Sequence, residues 1–233
     1  MITAIIRAYW KERLNNLERI INDLKSGSVV PDRIVIWCNN KDISIKDLSK
    51  FGVETVESSF NGGDRSLFAT SVLFRSDYYL YIDDDTTVRK DTLKNILNYA
   101  EKYGDVCIGL RGKIIDKKSR TPYTLNAINV LGIKQKHPRY VHLLIGKGTI
   151  LYTFNAMIRM FEMEKEFLKD EDYNELRELD ILLSMANKSV VIPARKEQTL
   201  RDLGEGKVGY CKQEGHYPKR NNIIKRILEI PKV

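Results

Sequence analysis

The chain has 233 residues, 42% hydrophobic and 30% charged, which allows a sizeable buried core and places it outside the composition of disordered chains. Its three cysteines, Cys38, Cys107 and Cys211, are widely spaced, which argues against a disulfide framework or a paired-cysteine zinc site and fits a reducing compartment. The formal net charge is +8, and from Arg111 to Lys147 nine Lys or Arg residues stand against the single acid Asp116; such a segment suits a polyanionic partner, or else forms a solvated charged surface.

The first ten residues hold an arginine within an apolar run and show no small-residue cleavage site, and no segment approaches the length of a membrane span. The expectation is a soluble cytoplasmic protein without a membrane span, in a host's cytoplasm if the source is viral. In chain order, Ile2 to Arg7 reads as a β-branched strand. Asn15 to Leu24 reads as a helix, with Leu17, Ile20, Ile21 and Leu24 on one face. Gly27 and Pro31 punctuate the connection to a second strand, Arg33 to Cys38, which the pair Asn39 and Asn40 stops. Val53 to Val56 is a third short strand, Ser66 to Arg75 a helix, and Tyr78 to Ile82 a strand running directly into three aspartates. Asp91 to Tyr103 is a helix with Asp91 as its cap. Further on, Val106 to Leu110, His142 to Ile145 and Ser189 to Pro193 read as strands, and Thr153 to Met163 and Glu175 to Ala186 as helices. Residues 111 to 141 read as a mobile excursion.

This alternation favours a three-layer α/β sandwich with a mixed, mostly parallel sheet and a Rossmann-like nucleotide-binding half. The expected organisation is one domain over residues 1–233, with a nucleotide-binding half at 1–110 and a second half with a C-terminal loop at 111–233. In such sheets ligands bind beyond the carboxyl ends of the strands. The loop after Ile6, the Asn39 and Asn40 turn, and the aspartates after Ile82 therefore face one crevice.

Asp83, Asp84 and Asp85 place three carboxylates at the end of an apolar strand. Adjacent like charges are costly to desolvate and call for a cation or a hydrogen-bonding ligand, and hard carboxylate oxygens suit Mg2+ or Mn2+. On the triplet alone, a metal site and a solvated or helix-capping turn are both open.

With this context the chain resembles the GT-A glycosyltransferases, in particular the exostosin-like group. The similarity lies in Ile34-Val35-Ile36-Trp37-Cys38-Asn39-Asn40, Ile82-Asp83-Asp84-Asp85-Thr86, His142-Leu143-Leu144-Ile145-Gly146 and Leu179-Asp180-Ile181, in that order. The resemblance implies an Asp-x-Asp motif in which Asp85 ligates Mn2+ or Mg2+, Asp83 meets the ribose or the metal shell, and Asp84 holds the middle place. It implies a nucleotide-sugar donor, a UDP-sugar by preference, cradled by Arg7, Tyr9, Asn39, Asn61 and Arg65, with Gly146 lining the sugar pocket. Asn61-Gly62-Gly63-Asp64-Arg65 departs from the family pattern in its two glycines, and Asp64 reads better as a helix cap. Asp180 would be the catalytic carboxylate, with Glu178 in reserve. Gly204 to Arg220 is similar to the flexible loop that closes on the diphosphate, where His216 would join the metal shell and Lys212 and Arg220 would meet the leaving group. The alternative for His216 is an ordinary surface histidine.

The implied reaction is transfer of a hexosyl or pentosyl group to an acceptor hydroxyl. The basic segment 111 to 147 and the basic tail with Lys219, Arg220, Lys225 and Arg226 suggest a polyanionic acceptor, for which a hydroxylated base in DNA, as modified by some viral enzymes, is one concrete hypothesis. A glycan, a lipid, a protein or another small hydroxyl compound is the alternative. From other classes, a nucleotidyltransferase would need glycines near the first strand that Arg7-Ala8-Tyr9-Trp10 lacks, and a non-catalytic nucleic-acid-binding protein would not explain the ordered motifs.

Overall fold

The computed structural model describes residues 1–63, 65–167, 178–204 and 214–229. β1 (Ile2–Ala8) is followed by α1 (Leu14–Lys25), β2 (Arg33–Cys38), β3 (Glu54–Glu57), α2 (Arg65–Leu73) and β4 (Tyr78–Asp83). Then come β5 (Thr86–Val88), α3 (Thr92–Tyr103), β6 (Cys107–Gly109), β7 (Arg111–Ile114), β8 (Ile128–Leu131), β9 (Arg139–Val141), β10 (Leu143–Leu144) and β11 (Ile150–Thr153). The chain continues through α4 (Phe154–Phe167), α5 (Leu179–Ala186), β12 (Ser189–Val191), β13 (Leu200–Asp202) and α6 (His216–Glu229).

The main sheet has eight strands in the order β3-β2-β1-β4-β11-β6-β12-β9. β1 to β4 run parallel to one another, and β6 and β12 are parallel. β11 lies antiparallel between β4 and β6, and β9 closes the far edge antiparallel to β12. Small antiparallel sheets, β10-β7-β8 and β13-β5, flank it.

Strand periodicity explains the layers. In β4, Leu80 and Ile82 point to one face, where they pack with Ile6, Ile20, Ile21 and Ile96 of β1, α1 and α3. Tyr79 and Tyr81 point to the other, against Leu67, Met157, Ile181 and Ile224 of α2, α4, α5 and α6. The result is the expected three-layer α/β sandwich with a mixed, mostly parallel sheet. The hydroxyl of Tyr79 is satisfied in the core: it donates to the Ser71 carbonyl at 2.9 Å and accepts from the Ser76 amide at 2.9 Å.

Four readings change. Asp91 makes no side-chain cap for α3. Thr92, the first helical residue, instead accepts from the preceding Arg89 amide and donates to the Thr199 carbonyl, which ties the helix start to the loop before β13. Residues 111 to 141 are not a loose excursion, because β7 and β8 pair as a hairpin and β9 joins the main sheet. The close packing of Gly112, where a Cβ would come within 2.6 Å of the Leu143 carbonyl, shows why β10 can lie against that hairpin. His216 to Arg220 open a helix rather than ending a loop, since Ile223, Ile224 and Ile227 recur on a buried face. Finally, β5, β11 and β13 were not foreseen; each is a three- or four-residue strand whose partner is remote in sequence. No helix among the described residues is long and apolar enough to cross a membrane.

Leu17, fully buried on α1, anchors the helix to the sheet. Leu17→Ala should cost about 2–5 kcal/mol, read as a lowered midpoint in urea denaturation.

Candidate functional site

The order of strands reverses at β1: β2 and β3 lie on one side and β4 on the other. Open parallel sheets form their ligand crevice at such a reversal, beyond the carboxyl ends of the strands. Here the register sets Arg7 of β1 beside Asp83 of β4, and a cleft of about 150 Å³ opens above them. Its walls come from Arg7 to Trp10 after β1, Arg13 at the entry to α1, Asn39 after β2, Asn61 and Gly63 before α2, and Asp83 and Asp84.

Each wall is held by its own bonds. The Asn39 side chain accepts from Trp37 Nε1 at 3.1 Å and donates to the Gly63 carbonyl at 3.0 Å, so it braces the ends of β2 and the α2 loop. Asn40 donates to the Tyr9 carbonyl at 2.9 Å. Asn61 Oδ1 accepts from the Gly63 amide at 3.0 Å, turning the loop tightly. Arg65 instead points to α4, with its Nε 3.2 Å from Glu164 Oε1, and it does not line the cleft as described.

The acidic turn is the electrostatic centre. Tyr81 donates its hydroxyl to Asp83 Oδ1, and Arg7 Nη2 donates to that hydroxyl at 2.6 Å while lying 3.9 Å from the same carboxylate oxygen. Burial pushes the Asp83 carboxyl up to about 6, against the opposing pull of Arg7 and with a further push from Asp85. Asp84 is likewise raised by burial, opposed by Arg13, whose Nη1 lies 2.5 Å from Asp84 Oδ1. Arg13 Nη2 is also 3.5 Å from Asp85 Oδ2, and Lys147 Nζ is 3.9 Å from that atom. Asp85 Oδ1 accepts from the Thr86 hydroxyl at 3.0 Å.

A second cluster stands across Gly146. Asp180, in the first turn of α5, accepts from the Gly146 amide at 3.4 Å and from Arg220 Nη2 at 2.6 Å. Arg220, on α6, also donates through Nη1 to the fully buried Glu178. The Tyr123 ring lies beneath the guanidinium at 4.4 Å. Burial raises Glu178 to about 7, with Arg220 opposing. His216 Nδ1 is 4.0 Å from Glu178, and burial and then Arg220 lower the histidine's value. Gly146 joins the two clusters: a Cβ there would fall 3.2 Å from Asp83 Oδ2 and 3.3 Å from the Tyr81 ring.

Arg7, Tyr9, Asn39, Asn61, Asp83 and Asp84 therefore share the cleft, and Gly146 and Asp180 adjoin its acidic end. His216 and Arg220 gather at Glu178 and Asp180, and Lys212 lies outside the described residues. Among the described residues no three of His, Cys, Asp or Glu converge as a ready-made metal cage, so His216 is not assembled with Asp83 and Asp85. The chemistry of the acidic turn nevertheless fits a hard divalent cation. It offers carboxylate oxygens, and the missing Cβ of Gly146 leaves Asp83 Oδ2 uncovered on one side; Mg2+ and Mn2+ commonly take one or two carboxylates and complete their shell with phosphate and water.

Sequence reading missed Arg13, Tyr81 and Lys147. Tyr81 was within reach, because a period of two sets it on the same face of β4 as Asp83. Arg13 and Lys147 carried no such signal, since each meets the aspartates only through tertiary placement.

A family model described as glycosyl transferase family 2 matches residues 3–167. No curated protein matches the chain.

Two outcomes follow from this geometry. Gly146→Ala should crowd Asp83 and reduce nucleotide affinity by about tenfold, measured by calorimetry, with little change in the denaturation midpoint. The folded protein keeps a proton on Glu178 at pH values where the unfolded chain has lost it. Stability should therefore decline as pH rises from the ordinary glutamate range through about 7. Glu178→Gln should flatten that decline, checked by comparing urea midpoints at pH 5 and pH 8.

Proposed function

We propose that this chain, which belongs to glycosyl transferase family 2, transfers a sugar from a UDP-sugar to an acceptor hydroxyl, with Asp180 as the catalytic carboxylate. The observation that carries the reading is the single glycine that touches both Asp83, at the donor cleft, and Asp180. The base and ribose would lie along Tyr9, Asn39 and Asn61. The diphosphate would lie toward Arg7 and the acidic turn, and the sugar over Gly146. Residues 1–110 would then serve the donor and 111–233 the acceptor, within one domain.

Asp83 and Asp85 would hold Mn2+ or Mg2+, which when bound supplies Lewis acidity and charge neutralisation at the diphosphate. The chain's own residues do the rest. Arg7 and Tyr81 orient Asp83, and Arg13 fixes Asp84 and with it the turn. Asp180 Oδ1 is fixed by the Ile181 amide at 3.0 Å and Oδ2 by Arg220. So placed, Asp180 can take the proton of the acceptor hydroxyl or stabilise positive charge at the anomeric carbon. Arg220 would offset that carboxylate's charge and keep it from turning away, and a move toward the leaving diphosphate would require it to release Asp180.

For the acceptor, Lys117, Lys118, Arg120, Lys134, Lys136 and Arg139 are candidates for contact with a polyanion, and all six stand exposed. We favour DNA bearing a hydroxylated base, extruded from the helix for transfer, over a glycan or another hydroxyl compound. The exostosin-like group is the branch of GT-A enzymes that the motifs resemble most.

The test is a screen of nucleotide sugars with Mn2+ against hydroxylated DNA and glycan acceptors, reading product mass. A gain of one sugar residue on DNA is expected, and a gain on glycans alone would reassign the acceptor. Asp85→Asn should lower transfer at least a hundredfold, whereas Asp180→Asn should lower it by about as much and leave donor affinity within about twofold. Transfer that survives either change would remove the role given to that residue.

A further inference from the structure

Lys147 follows β10 and stands between two carboxylates of different character. Its Nζ is 3.9 Å from Asp85 Oδ2 and 3.1 Å from Asp202 Oδ2. The Asp85 side chain is nearly buried, at 8% exposure, whereas that of Asp202 is 52% exposed. The two acids are brought side by side by the short β5–β13 ladder, which pairs Asp202 with Thr86, and by the Leu203 amide, which donates to the Asp85 carbonyl at 2.8 Å.

Asp85 Oδ2 thus faces two protein cations, Arg13 at 3.5 Å and Lys147 at 3.9 Å. They differ in freedom. Arg13 is buried and bonded to Asp84, so it stays. Lysine carries a compact point charge on a flexible four-carbon stem, and Lys147 already has its closer contact with Asp202. A divalent ion at Asp85 Oδ2 would bring like charge against the ammonium in a nearly desolvated place, where electrostatic interaction is strong. Asp202 offers the ammonium somewhere to go without losing a partner.

We propose that Lys147 is a tethered counter-cation of Asp85 that competes with the divalent ion and withdraws to Asp202 when the ion binds. The inference rests on the reading of Asp85 as a metal ligand. It implies that the ligand-free protein takes up metal weakly, and that the metal enters together with a nucleoside diphosphate whose negative charge relieves the crowding of cations.

The experiment is titration of Mn2+ into the nucleotide-free full-length chain, with free Mn2+ read by electron paramagnetic resonance. Lys147→Met, which keeps the stem and removes the charge, should tighten Mn2+ binding about tenfold, inside the range of roughly five- to 150-fold over which linked sites couple. Lys147→Arg should bind as the parent does, separating charge from packing. Asp202→Asn should weaken binding several-fold, and if Lys147→Met does not fold, unchanged or tighter binding in Asp202→Asn overturns the competition instead. Asp85→Asn in each background identifies the site. If Mn2+ binding depends on Asp85 yet is unchanged or weaker in Lys147→Met, competition is overturned and the metal reading stands. Mn2+ binding that is absent, or indifferent to Asp85, overturns both.

Discussion

Three consecutive carboxylates at the end of a buried strand can be kept only if positive charge is brought to them. Much of the site follows from how that is done. Arg7 comes from the strand beside β4, Arg13 from the entry to α1, and Lys147 from the loop after β10, so three separate stretches of chain converge on one turn. Asp83 also takes a hydroxyl from its own strand, through Tyr81. Ion pairs of this kind add little net stability once desolvation is counted. Their effect is on geometry: the carboxylates are pointed and spaced before any ligand arrives, which reduces what binding must reorganise.

A second concentration of charge, at Glu178, Asp180 and Arg220, is built by the same rule from other parts. α5 supplies the acids at its start, and α6 supplies the arginine from a buried position. Gly146 sits between the two clusters, where a Cβ would crowd both Asp83 and the Tyr81 ring. The two clusters thus share one backbone point, and a shift of that loop would be felt in both.

The parallel strands and their helices were readable because their signals are local: apolar runs, a helical face in α1, glycines and asparagines at strand ends. The same holds for the acidic turn, whereas Asp180 stands in an acid-rich stretch and is singled out only by the family resemblance of Leu179-Asp180-Ile181. What escaped was non-local. β11 is four residues long and becomes a central strand only because β4 and β6 lie on either side of it. Residues 111 to 141 look irregular because their strands are short and separated by long turns, and their order comes from partners such as Gly112 against Leu143. α6 was obscured by the glycines and charges ahead of it, although Ile223, Ile224 and Ile227 repeat at helical spacing. Arg13 and Lys147 look like ordinary surface charges until the fold carries them to the aspartates.

The antiparallel placement of β11 also has a bearing on how the molecule is made. β4 ends at Asp83 and β6 begins at Cys107, yet the two never pair; the strand that lies between them begins only at Ile150 and is synthesised well after both. Until Ile150 to Thr153 emerge, the edges of both strands stay open, and open edges invite pairing with other chains. The cleft-bearing end of β4 therefore gains its second neighbour only after most of the chain exists, and a fragment ending near residue 110 would retain the residues that line the cleft while lacking the strand that closes the sheet beneath it.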